Sequence, residues 1–217
     1  MTTYLELVNE CLTRLRENTV TTVSQSIYSR LIALYINDSK RQVEDAWNWS
    51  VLDASIPVVT IAGTSEYTLV GSGIRQKDVT ANITSTGYQT PISAVPAKWI
   101  QNQQQLTTTT QSTPVYYAWS GNNGTDSKIE VFPTPNGAYT IMFNMTATQA
   151  NLSLDADVLL VPSEPVIAGA VARALVERGE DGGLASSEAY SLFKGILSDY
   201  IALEQARDVG SACWVAT

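Results

Sequence analysis

The apolar residues of this 217-residue chain change their spacing twice. Up to about residue 49 they recur every three or four positions. From 56 they alternate or form short β-branched runs, and after 162 the helical spacing returns. A segment with one period does not settle as the other element, so the order is helices, then strands, then helices. The chain reads as α+β: a discontinuous four-helix bundle, two N-terminal and two C-terminal helices, with an inserted β-rich region of antiparallel strands. The expected parts are residues 1–55, the first half of the helical domain; 56–151, the β-rich insertion; and 152–217, the second helical half with a C-terminal tail.

The local signals fill in that order. Thr3 stands three places before Glu6, a capping-box spacing, and Leu5, Val8, Leu12 and Leu15 form the stripe of a first helix over 3–17. Ser24 is placed to cap a second helix over 25–49, with Ile27, Leu31, Tyr35, Val43, Ala46 and Trp47 on its apolar face. Asn37, Asp38, Lys40, Arg41 and Glu44 take the remaining positions. "IPVVTI" and "SEYTLV" flank a hairpin-like "AGT", Thr-Gly marks a turn after Val79, Ala81 and Ile83, and "PAKWIQNQQQ" reads as a short helix. "KIEVF" and "YTIMFNMTA" flank Phe132, Pro133, Pro135, Asn136 and Gly137, where Asn-Gly predicts a hairpin. Pro162, Ser163 and Pro165 open a third long helix that Gly179 stops, its Ala-Gly-Ala spine suited to close helix packing. A fourth, over 185–208, sets Ala189, Leu192, Phe193, Ile196, Tyr200 and Leu203 on one face.

Composition removes several function classes. The chain has no histidine, which excludes Ser-His-Asp and Cys-His catalysis and most zinc sites. Its 13 basic residues against 21 acidic ones give a net charge of −8, the wrong sign for gripping nucleic acid. No long apolar run predicts a transmembrane helix, and the N-terminal stretch lacks the pattern of a signal peptide. Cys11 and Cys213 read as free thiols of a cytosol-like compartment. No phosphate-binding loop, nucleophile elbow or metal-ligand spacing occurs, so no catalytic, cofactor or metal residues are assigned.

The remaining candidates are acids and aromatics. Asp155 and Asp157, with Glu164, are the carboxylates a glycosidase would need, but their ordinary role is to sit beside the opening of a helix. Tyr116, Tyr117 and Trp119 share one strand; alternation puts Tyr117 and Trp119 on one face and Tyr116 on the other. With Trp214 of the tail they are the partner-facing candidates. Trp47 and Trp49 stand where helical spacing gives way to strand spacing. Trp47 continues the helix stripe and is expected to be buried, at a cost of about 3–5 kcal/mol if truncated. Trp49 is expected under the start of the β insertion, so that the pair forms a structural junction.

Three stretches resemble tailed-phage head-to-tail adaptors of the podophage tail tubular protein A kind. A long helix with Arg41 and Val43 runs into Trp47, Trp49 and Ser50. "TPVYYAWSGNNGTDSKIEVFPTPNGAYTIMFNMTAT" is similar to the family's strand, loop and hairpin run. "LSLDADVLLVPSEPVIAGAVARAL" resembles its signal leading into the C-terminal helix pair. The resemblance implies a structural virion protein, not an enzyme, without cofactors. It implies a ring of about twelve copies, assembled in the host cytoplasm, that docks under the portal protein and receives the tail nozzle or tube. Genomic DNA would pass through the ring without specific binding, and no membrane anchor is implied. The Thr-rich 106–113 loop and the tail from 209 would order on assembly. The alternatives are another virion component, such as a head-completion or tail-terminator protein, or a carboxylate-dependent cell-wall hydrolase.

Overall fold

The computed structural model describes residues 2–85, 87, 89–106, 111–179 and 184–207. Thr86, Cys213, Trp214, residues 107–110 of the Thr-rich loop and the tail from 208 lie outside these. The chain is mixed α+β, with five α-helices and a seven-stranded sheet among the described residues. It divides into two compact units, Met1–Val51 with Ala150–Thr217, and Leu52–Gln149.

The first unit is helical. Helix α1 (Tyr4–Arg14) starts on the expected capping box: Glu6 N–H donates to Thr3 Oγ1 at 3.4 Å, and Thr3 N–H donates to Glu6 Oε2 at 2.8 Å. Its buried stripe is centred slightly off the expected one. Tyr4, Leu7 and Cys11 join Val8, Leu12 and Leu15, while Leu5 is half-buried. Burial pushes the Cys11 thiol up to about 12, so it stays protonated and unreactive.

Helix α2 (Ile27–Ala46) is capped by Ser26, not Ser24, and its inward face is turned from the one expected. Ile32, Ala33, Ile36 and Val43 are buried, Leu31 and Tyr35 are half-buried, and Ile27 is 81% exposed. Apolar residues surround the first half of this helix, so periodicity alone does not fix its orientation. Polar side chains settle it. Asn37, Lys40 and Glu44, expected in solvent, are buried. Asn37 donates to Tyr4 Oη at 2.9 Å and to Leu152 O at 3.0 Å, and accepts from Leu152 N–H at 2.9 Å. Lys40 Nζ meets Glu44 Oε1 at 2.9 Å with both side chains sealed from water.

Helix α4 (Ser163–Arg178) is the common neighbour of α1, α2 and α5 (Leu184–Gln205). It has Pro165 in its first turn and is buried at Val166, Ile167, Ala168, Gly169, Ala170, Ala172 and Ala174. Ser163 is its first helical residue, and Pro162 holds the cap position without a side-chain bond. Gly179 ends it in the left-handed conformation at φ 63°, its N–H donating to Leu175 O. Gly169 shows why the spine is small: a Cβ there would overlap Ser39 Oγ and lie 3.1 Å from Phe193 Cε2. Gly169→Ala should cost about 1–3 kcal/mol by overpacking, read as a lower melting temperature.

The second unit is a curled sheet in the order β1-β7-β3-β4-β5-β6-β2. The strands are β1 (Asp53–Val59), β2 (Glu66–Thr68), β3 (Gln76–Ile83), β4 (Thr90–Ala94), β5 (Tyr116–Asn122), β6 (Ser127–Phe132) and β7 (Thr140–Ala147). Two expected hairpins do not form. β1 and β2 are the opposite edges, and β6 and β7 are not neighbours. In a flat sheet, six spacings of about 4.8 Å would put the edges about 29 Å apart. The six residues between Val59 and Glu66 reach about 25 Å at most, so the sheet has to curl.

The Pro-x-Pro run explains the lost β6/β7 hairpin. Pro133 and Pro135 have no N–H to give a ladder, and the segment bonds elsewhere. Ser112 N–H donates to Thr134 O at 3.0 Å, Gly63 N–H to Pro135 O at 2.9 Å, and Thr60 N–H to Tyr139 O at 2.8 Å. The β3/β4 hairpin does form, with Ile83 opposite Thr90. One pair is parallel, against the all-antiparallel expectation: β4 and β5 are joined by helix α3 (Ala97–Leu106), the crossover such a pair requires. Leu69, Ile83, Ile129, Val131, Ile141 and Phe143 fill the core.

Candidate assembly surfaces

At the end of α2 it is Trp49, not Trp47, that is buried. Trp47 is the C-cap residue and only half-buried, whereas Trp49 is 1% exposed. The last carbonyls of a helix lack intrahelical donors. Trp49 supplies one, its indole N–H donating to Val43 O at 2.7 Å. Helical spacing favours Trp47 only if the helix runs on to residue 49, three beyond its end at Ala46. Ser50, next along, donates through N–H and Oγ–H to Glu204 Oε1.

The three acids of the hydrolase alternative are engaged structurally. Asp155 Oδ1 accepts from Val23 N–H at 3.0 Å, and the Asp155 and Asp157 carbonyls accept from Leu5 and Tyr4 N–H. Asp157 Oδ2 accepts from Ser153 N–H at 2.6 Å and Leu154 N–H at 2.8 Å. Glu164 Oε2 accepts from Tyr200 Oη–H at 2.9 Å. The N–H groups of Leu154 and Ser153 hold the Asp157 carboxyl below the usual carboxylate range, the opposite of what a general acid needs.

Glu6, through the Thr3 N–H, and Glu204, through the Ser50 hydroxyl, are shifted down in the same way. Carboxylates with depressed folded-state values stabilise the fold above the ordinary value near ~4 and lose that contribution as pH falls through the depressed ones. The melting temperature should therefore fall steeply below about pH 4, and Asp157→Asn should flatten that slope while lowering stability at pH 7.

The three aromatic candidates of β5 pack within the β unit. Tyr117 is buried, edge-on to Phe143 at 5.3 Å and Trp119 at 6.1 Å, on the face alternation assigned to them. Tyr116 lies on the other face against Trp99 of α3 at 5.0 Å, and Trp99 also meets Phe132 at 5.7 Å. The partner-facing reading of Tyr117 is therefore corrected, and Tyr116 and Trp119 are half-buried in internal packing. Each ring finds a neighbour across the sheet or on α3, which strand alternation alone could not reveal.

Several large apolar side chains of the helices face water. Ile27, Leu34, Val176, Leu184, Leu192 and Leu203 are each more than three-fifths exposed. The acidic charge gathers in the same unit. Residues 1–51 and 150–217 hold nine Lys and Arg against sixteen Asp and Glu, a net of −7, while 52–149 hold four against five. Among the described residues no group of three or more His, Cys, Asp or Glu is placed to hold a metal ion, and no helix is long and apolar enough to cross a membrane.

Residues 2–213 match the family described as SU10 adaptor protein. No curated protein matches the sequence. The match spans both helical halves and the whole β unit. The chain belongs to the SU10 adaptor protein family, and is a phage structural adaptor of the head-to-tail kind rather than an enzyme.

Proposed function

We propose that this chain is the ring subunit that docks under the portal protein and carries the tail nozzle or tube, in the manner of the podophage tail tubular protein A adaptors. About twelve copies close the ring, with the two helical halves acting as one four-helix bundle that forms its wall. The observation that carries this reading is the apolar helix surface left in water, at Ile27, Leu34, Val176, Leu184, Leu192 and Leu203. Exposed apolar helix of this kind is what an assembling subunit covers with its partners.

The charge supports a conduit. Twelve copies at −8 each bring about −96 formal charges, mostly on the helical unit, so a helical wall repels the phosphate backbone and DNA slides through unbound. Trp47 and Trp49 would close the end of α2 in that wall. Asp155, Asp157, Pro162 and Ser163 would hold the turn into α4, and Phe132 to Gly137 one end of the β unit.

Native mass measurement of the chain, alone and mixed with the portal protein of the same particle, tests the reading. A discrete ring of about twelve copies on the portal is the expected result. A stable hexamer on a tail tube, with no portal binding, would instead make the chain a tail terminator.

A further inference from the structure

Resting on the ring reading, we infer that neighbouring copies join through two particular helix faces: the outer stripe of α5 on one subunit and the outer stripe of α2 on the next. Glu188, Leu192, Gly195, Asp199 and Leu203 follow one another at three- and four-residue steps along α5, and all five are exposed. Such spacing makes one continuous face.

Gly195 sets this face apart. A glycine deep in a 22-residue helix weakens it, so a structural reason is expected. Gly169 has one inside the chain, because Ser39 and Phe193 leave no room for a Cβ. Gly195 has none: nothing lies within 4 Å of where its Cβ would stand. The bare notch, between the exposed Leu192 and Leu203, admits the close approach of something outside the chain.

The α2 stripe has the matching character. Ile27, Arg30, Leu34 and Arg41 share one exposed line, with Asp38 beside Arg41 at 3.6 Å. Ile27 and Leu34, 81% and 62% exposed, stand about 10 Å apart along the helix. That spacing fits between Leu192 and Leu203, about 16 Å apart, with Gly195 giving depth. Arg30 and Arg41 bring positive charge to Glu188 and Asp199. A contact between two different faces is heterologous, and repetition of such a contact closes a ring.

The test uses the full chain with the portal protein of the same particle, read by mass photometry. Gly195→Leu places a better helix former at an exposed site, so the free subunit should melt no lower than wild type while ring formation falls at least tenfold. Arg30→Glu with Arg41→Glu, and separately Glu188→Arg with Asp199→Arg, should each disrupt rings, and the four changes together should restore them. Full rings from Gly195→Leu, or no restoration by the combined swap, would overturn the inference and leave the ring reading standing. If those Gly195→Leu rings then failed to take up the tail component, the α5 face would belong to that partner instead. A wild-type chain that forms no ring on the portal overturns both.

Discussion

Trp49→Ala is expected to destabilise the helical unit by about 3–5 kcal/mol, the range for deleting a large core side chain. Trp49 is the largest fully buried side chain of the described residues, and its loss also strips the Val43 carbonyl of its donor at the end of α2. Trp49→Phe would keep most of the ring but not the N–H, and should cost about 1–3 kcal/mol for the carbonyl left unpaired. Trp47→Ala, at the half-buried cap position, should cost about 1 kcal/mol. Urea unfolding followed by far-ultraviolet circular dichroism ranks the three. A Trp47 variant as unstable as the Trp49 one would contradict the assignment.

A loss of similar size is expected from separating Lys40 and Glu44. Their pair is 2.9 Å long and fully sealed, so Glu44→Leu takes the carboxylate from a buried ammonium and should cost about 3–5 kcal/mol. Lys40→Met combined with Glu44→Leu removes both charges and should recover most of that loss, because a well-packed apolar pair matches a buried ion pair in stability. A double-mutant cycle measures the coupling. Glu44→Leu within 1 kcal/mol of wild type would mean that water reaches the pair.

These two sites also show what the sequence could and could not reveal. Element types followed from period and punctuation: Thr3 and Glu6 close the capping box, Gly179 ends α4 left-handed, and the α3 segment is a helix. Orientation and pairing did not follow. The apolar residues of α2 surround its first half, so its inward face is decided by Asn37, Lys40 and Glu44, whose bonds inside the helical unit no periodicity displays. Asn136-Gly137 signals a turn, but the two prolines before it deny the ladder, and the strands on either side pair with others. The aromatics of β5 were placed on the correct faces while their neighbours, Trp99 and Phe143, were out of reach of local rules. The assembly surfaces were least legible, because an exposed leucine or glycine is recognised only once the buried ones are known.

The central claim, that this adaptor forms the ring between portal and tail, is tested most directly by a cryo-electron reconstruction of intact particles at the portal vertex. The account predicts about twelve copies traced as one ring beneath the portal, their helices lining an acidic channel and α5 of each copy against α2 of the next. A strongly basic channel wall would contradict the conduit, and density for this chain away from the portal vertex would contradict the claim itself.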